Sequence, residues 1–240
     1  MLLTLWSGLA AGSLHVVSGA DHLAALLPLS VGRRLRAFRL GVRWGLGHSA
    51  GVLVIGALAV GLKEWVDIAA VGAWGERLVG VMLVGIGVWG VRHAARLTIH
   101  AHPHEHDGAG HAHLHVHTAD GIRDEHAGGT LLVTHRHTHT AFFAGTLHGV
   151  AGTAHILGVL PAVAMASWVF SAAYLFAFAL GTIAAMGTFA AIVGEGSARA
   201  SANAPVLLKR LSLAAGVMTI LVGLTWILLP ALGLQLPELG

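Results

Sequence analysis

Asp21 lies in the middle of a largely apolar run from Leu2 to Val31. The run is long enough to cross a bilayer, whose hydrocarbon core takes about 20 apolar residues of helix. An ionised carboxylate at that depth costs about 2.5 to 3.5 kcal/mol even on the lenient insertion scale, so a chain carries one there with a partner or a task. His15 and His22 supply candidate partners. Neutral imidazole and carboxylate together are ligands for nickel, cobalt, zinc and copper, so His15, Asp21 and His22 read as a divalent-metal site. Helix geometry complicates that reading. Residues seven apart share a face but stand about 10.5 Å apart along the axis, whereas two ligands of one ion lie only about 3 Å apart. Either one histidine binds with help from other helices, or the helix unwinds at Ser18-Gly19, where glycine tolerates non-helical angles.

The rest of the chain is of the same kind. Of its 240 residues 55% are apolar and 10% charged, with 33 glycines for close helix contact and 7 tryptophans for the interfaces, which makes it a polytopic membrane protein. The absence of cysteine excludes disulfides and thiolate sites. Nucleic acid is not an expected partner; the lipid bilayer is. Twelve of the fourteen basic residues fall in three loops: Arg33, Arg34, Arg36, Arg39 and Arg43; Arg92, Arg96, Arg123 and Arg136; and Arg199, Lys209 and Arg210. By the positive-inside rule these loops are cytoplasmic and both termini lie outside a multi-pass cell membrane protein, with the first helix retained. The expected spans are Leu2 to Val31, Leu40 to Leu62, Leu78 to Val91, Ala141 to Ala166, Val169 to Val193 and Leu211 to Leu229.

The two halves of the chain repeat one another. Gly12, His15, Gly19, His22, Leu27 and Pro28 recur without gaps as Gly145, His148, Gly152, His155, Leu160 and Pro161, an offset of 133. The acid does not recur, since Asp21 corresponds to Ala154. Three spans per half oblige the second copy to run in the opposite sense. The expected fold is therefore all-α, six transmembrane helices as a 3+3 inverted repeat, a plan of many secondary transporters. Residues 1–92 form the first repeat, 93–140 a loop and 141–240 the second repeat. His48, in Gly45-Leu46-Gly47-His48-Ser49, is a third candidate ligand; a lone histidine in a span serves about as often as an interhelical hydrogen-bonding group. His148 and His155 stand on the same choice. Glu195, between two glycines at the end of span five, reads as a solvated cap.

The loop is different. It holds thirteen of the eighteen histidines, with runs at His100, His102, His104 and His106, at His111, His113, His115 and His117, and at His135, His137 and His139. Mixed with Gly, Asp, Thr and Ala, they bury no core, and disorder with multidentate metal binding is expected.

HVVSGADHLAAL and LGHS together resemble the signature of the nickel/cobalt transporter superfamily, in the branch of urease-accessory nickel permeases with five residues before Asp-His. The resemblance implies a permease and no enzyme, with Ni2+ or Co2+ as transported substrate and no prosthetic group. It places His15, Asp21, His22 and His48 in metal recognition. Uptake is the expected direction, because an inside-negative potential favours an entering divalent ion by about 4.6 kcal/mol per 100 mV. A cytoplasmic metallochaperone would be its partner. Six spans with a histidine-rich loop also resemble the efflux branch, which would be proton-coupled. A different class stays open: a membrane haem protein or metalloenzyme using the same histidines as permanent ligands.

Overall fold

A computed structural model describes residues 1–62, 68–106, 109–118, 138–151, 153–165, 167–202 and 204–232. The described helices are α1 (Leu2–Ser18), α2 (Ala20–Ser30), α3 (Leu35–Leu62), α4 (Ile68–Ala95), α5 (Thr138–Val150), α6 (Thr153–Val163), α7 (Trp168–Ala200) and α8 (Pro205–Ala231). Each expected span thus corresponds to one helix or to a broken pair, α1 with α2 and α5 with α6.

Among the described residues, three helical stretches, Trp74–Ala95, Trp168–Ala200 and Val206–Ala231, are long and apolar enough to cross a membrane, and a fourth if the bent pair α1 and α2 counts as one span. These make the chain a membrane protein. The run from Leu2 is interrupted, with α1 and α2 meeting at 71°, and α3 carries Arg36, Arg39 and Arg43 in its first turns. The third stretch is longer than the sequence suggested, since α4 runs from Ile68.

The repeat is visible in the architecture. An offset of 133 carries the start of α2 onto that of α6 and the start of α3 onto that of α7. Packing follows it: α1 lies along α7 as its counterpart α5 lies along α3, and α3·α7 and α4·α8 are the pairs formed between equivalent helices. Glycine makes the first two seams possible. A methyl group on Gly12 would sit 2.1 Å from the Phe178 carbonyl oxygen, and one on Gly47 would sit 2.0 Å from that of Phe142. Backbones this close are the means by which helices gain contact in lipid, where apolar burial gives no drive. Val16, Leu26, Trp44, Leu83 and Met186 fill the centre. Leu3, Trp6, Trp74 and Trp168 remain outward, as a lipid-facing surface allows.

The expectation of a disordered loop needs correction over part of its length. β1 (Leu97–His106) and β2 (Ala109–Thr118) pair as an antiparallel hairpin. Histidine at every second position is a strand pattern as much as a disordered one, because successive strand residues alternate between faces. The register sets His100 opposite His115, His102 opposite His113 and His104 opposite His111. His135 and His137 lie outside the described residues.

Candidate metal centre

The break between α1 and α2 builds the centre. Gly19 leaves the helical region at φ −75°, ψ 102°, so the last turn of α1 and the first turn of α2 fold onto each other. The ring centroids of His15 and His22 come to 4.6 Å, less than half the rise a straight helix would put between them. Any residue could adopt the angles of Gly19; what glycine supplies here is space. A methyl group there would stand 2.1 Å from Nδ1 of His22 and 3.0 Å from Oδ1 of Asp21.

Three other helices complete the cluster. His48 enters from α3, its Nε2 3.4 Å from Nε2 of His22. His155, in the first turn of α6, packs edge-on against His48 at 4.7 Å and His15 at 5.2 Å between centroids. One ring nitrogen from each of His15, His22, His48 and His155 lies within 4.8 Å of all the others. Asp21, His22 and His148 form a second group by the same measure, sharing His22. All five histidines and the acid expected from the sequence therefore meet at one place. Of the loop histidines, His139 sits exposed at the start of α5 and is not among them.

Asp21 stands behind His22. It occupies the first turn of α2, where the helix dipole favours negative charge. Its Oδ1 accepts a hydrogen bond from the His22 backbone N–H at 2.9 Å. Its Oδ2 lies 2.9 Å from Nε2 of His148, which donates to it. Nδ1 of His22 is also 2.9 Å from Oδ1, an ion-pair contact off the hydrogen-bonding line.

The donor set fits a divalent ion. His22, His48, His148 and His155 are at most 2% exposed. Among the described residues, His15 Nε2 and the Nδ1 atoms of His48, His148 and His155 are buried without a hydrogen-bond partner, and each such atom costs about 1 to 3 kcal/mol unless a ligand or water pairs with it. Haem does not fit, because the rings pack directly against one another at 4.6 to 5.9 Å and leave no slot for a macrocycle.

Sequence reasoning missed two neighbours. Phe178 lies 5.7 Å from His15 and closes its side of the cluster. Thr182 is buried, with its hydroxyl donating to the Gly12 carbonyl at 3.4 Å. Carrying the offset of 133 onward from Ser49 leads to Thr182. Glu195 is paired with Arg199 one turn on in α7, at 2.8 Å.

Two curated relatives align with nearly the whole chain. Chloroplast protein FOR GROWTH AND FERTILITY 2 of Arabidopsis thaliana is 33% identical over 237 residues, 98% of this chain and 59% of that protein. Chloroplast protein FOR GROWTH AND FERTILITY 1 of the same plant is 33% identical over 236 residues, 98% of this chain and 61% of that protein. The chain thus spans about three fifths of the length of these relatives. It matches no family model and no solved structure.

These relatives overturn the resemblance to the nickel/cobalt transporter superfamily, and with it nickel or cobalt uptake and the efflux alternative. The likeness rested on two short motifs, while the relatives match across 98% of the chain and carry no transporter name. In this chain the first motif has a local role: the break at Gly19 brings His15 and His22 together, with Asp21 beside the second.

Proposed function

We propose that the chain is a membrane protein whose task is to hold a divalent transition-metal ion in a preformed intramembrane chamber, with His15, His22, His48 and His155 as ligands. The observation that carries this reading is the convergence of those four histidines from four helices to within 4.8 Å. Four neutral imidazoles without thiolate suit an ion of the zinc, copper or iron class over magnesium or calcium, which take oxygen ligands. Asp21 acts from behind. A carboxylate next to a ligating histidine fixes the ring and raises its basicity, and loss of such a partner typically costs 10 to 100-fold in metal affinity. Asp21 also supplies the negative charge that a divalent ion needs at membrane depth, and it holds His148 at the edge of the chamber.

The centre is a binding site and not an enzyme's active site in this reading, and it needs no prosthetic group. The histidines of the hairpin segment are a second, looser place for the same ions, from which a metallochaperone could load or unload the chain. We infer six crossings in an inverted 3+3 arrangement, with the hairpin on the side opposite both termini; the pairing of α1 with α7 and of α5 with α3 supports it. The relatives are chloroplast proteins by name, connected with growth and fertility. From them we take a setting, a chloroplast-type membrane in place of the plasma membrane, and no chemistry.

The test is metal titration of the purified protein in detergent micelles. Zinc should bind where magnesium does not, and His48→Ala with His155→Ala should remove the tightest zinc. If the tightest class survives that double variant, the chamber is not the site.

A further inference from the structure

One end of the helix bundle carries a basic cavity outside the metal centre. It opens where the last turn of α2, the last turns of α4 and the first turns of α8 meet, and encloses about 180 Å³. Its lining combines apolar Pro28, Val31 and Leu208 with Arg33, His93 and Ser212, of which Pro28 is buried and Arg33 and His93 are exposed. Both bases are set in place by one ring. The Arg33 guanidinium lies 5.7 Å over Trp89, and His93 stacks on the same ring at 5.3 Å with planes 9° apart. The backbone is fixed as well. Gly32, at φ +74°, turns the chain out of α2, and its N–H donates to the Ser197 hydroxyl at 2.9 Å. Lys209 donates to the carbonyls of Ala95 and Leu97, tying α8 to the end of α4 beside the cavity. Arg34, Arg36, Arg92 and Arg210 stand exposed around the same end, while Glu195 nearby is occupied by Arg199.

We propose that this cavity binds the phosphate headgroup of an anionic membrane lipid, with Arg33 and His93 on the phosphodiester and the apolar lining against the glycerol. A guanidinium fork pairs with phosphate oxygens in two parallel hydrogen bonds, and basic pockets between transmembrane helices are where anionic headgroups settle. The apolar lining is what selects a lipid over a free anion. Inorganic phosphate would gain the two bases but nothing from Pro28, Val31 and Leu208, whereas a lipid meets both and leaves its acyl chains along the outward faces of the helices.

The full chain would be reconstituted in nanodiscs of phosphatidylcholine with a minor share of phosphatidylglycerol, and co-purifying lipid measured by native mass spectrometry. The intact chain should retain phosphatidylglycerol above its share in the disc, and Arg33→Gln with His93→Gln should lower that enrichment about fivefold. Thermal unfolding of the variant should match that of the intact chain, which shows that it has folded. A parallel titration uses inorganic phosphate. Equal retention in the variant, no preference over phosphatidylcholine in the intact chain, or displacement of the lipid by inorganic phosphate would each overturn the proposal.

Discussion

Nε2 of His148 lies 2.9 Å from Oδ2 of Asp21, a contact between residues 127 positions apart that joins the two halves of the repeat. His15, the counterpart of His148, sits in the four-histidine group, while His148 itself turns to the acid that its own half lacks. Among the differences between the two copies, Asp21 against Ala154 is the one that makes the histidine cluster asymmetric in charge.

Replacing that acid separates positioning from ligation. Asp21→Asn keeps the shape and the hydrogen bond from the His22 backbone but removes the charge behind His22. Zinc affinity should fall about 10 to 100-fold while stoichiometry holds, as for other carboxylates behind ligating histidines. Isothermal titration reads both quantities. Loss of the bound ion altogether would make Asp21 a ligand.

Gly19→Ala should damage the centre from outside the ligand set. The added carbon would meet the His22 ring at 2.1 Å and must displace it. Overpacking of this kind costs about 1 to 3 kcal/mol. The variant should be less stable by that order in thermal unfolding and should bind zinc more weakly, although every candidate ligand is retained.

The glycine seams give a graded pair of variants. In Gly12→Ala the new methyl group meets the Phe178 carbonyl at 2.1 Å, and backbone cannot rotate aside as a side chain does. In Gly85→Ala nothing lies within 4 Å. The first should destabilise the fold by parting α1 from α7. The second should be neutral or stabilise α4 by about 0.5 to 1 kcal/mol, the helical preference of alanine over glycine. Melting curves of the two in the same detergent measure the difference.

Much of the centre was legible in the sequence, and the reasons for the remainder are local. The choice between a straight and a broken helix at Ser18-Gly19 followed from the spacing of His15 and His22, and the break falls at Gly19. The repeat pointed to His148 and His155, both of which lie in the cluster. Phe178 was hidden because an aromatic residue in an apolar helix carries no mark of what it faces. The hairpin was hidden because alternating histidine was weighed for composition and not for its period of two. Apolar length marked each stretch but carried no sign of the 71° bend between α1 and α2. The transporter resemblance went too far because short motifs report a local geometry and not the use to which a whole chain puts it.

The arrangement in the membrane is open to a clean test, since the chain has no cysteine. Thr4→Cys and Leu232→Cys should react with an impermeant maleimide from one side of sealed vesicles, and Ala202→Cys from the other. Labelling of all three from the same side would reject six crossings.

Bound zinc per chain measures the four-histidine chamber most directly. Replacing the eight hairpin histidines by glutamine removes the competing loop, after which the folded chain is loaded with zinc, freed of excess by gel filtration and assayed for metal. One zinc per chain is expected, falling to near none when His48→Ala and His155→Ala are added. A folded, hairpin-substituted chain that holds no zinc, or one that holds it as well without His48 and His155, would contradict the chamber as the metal site.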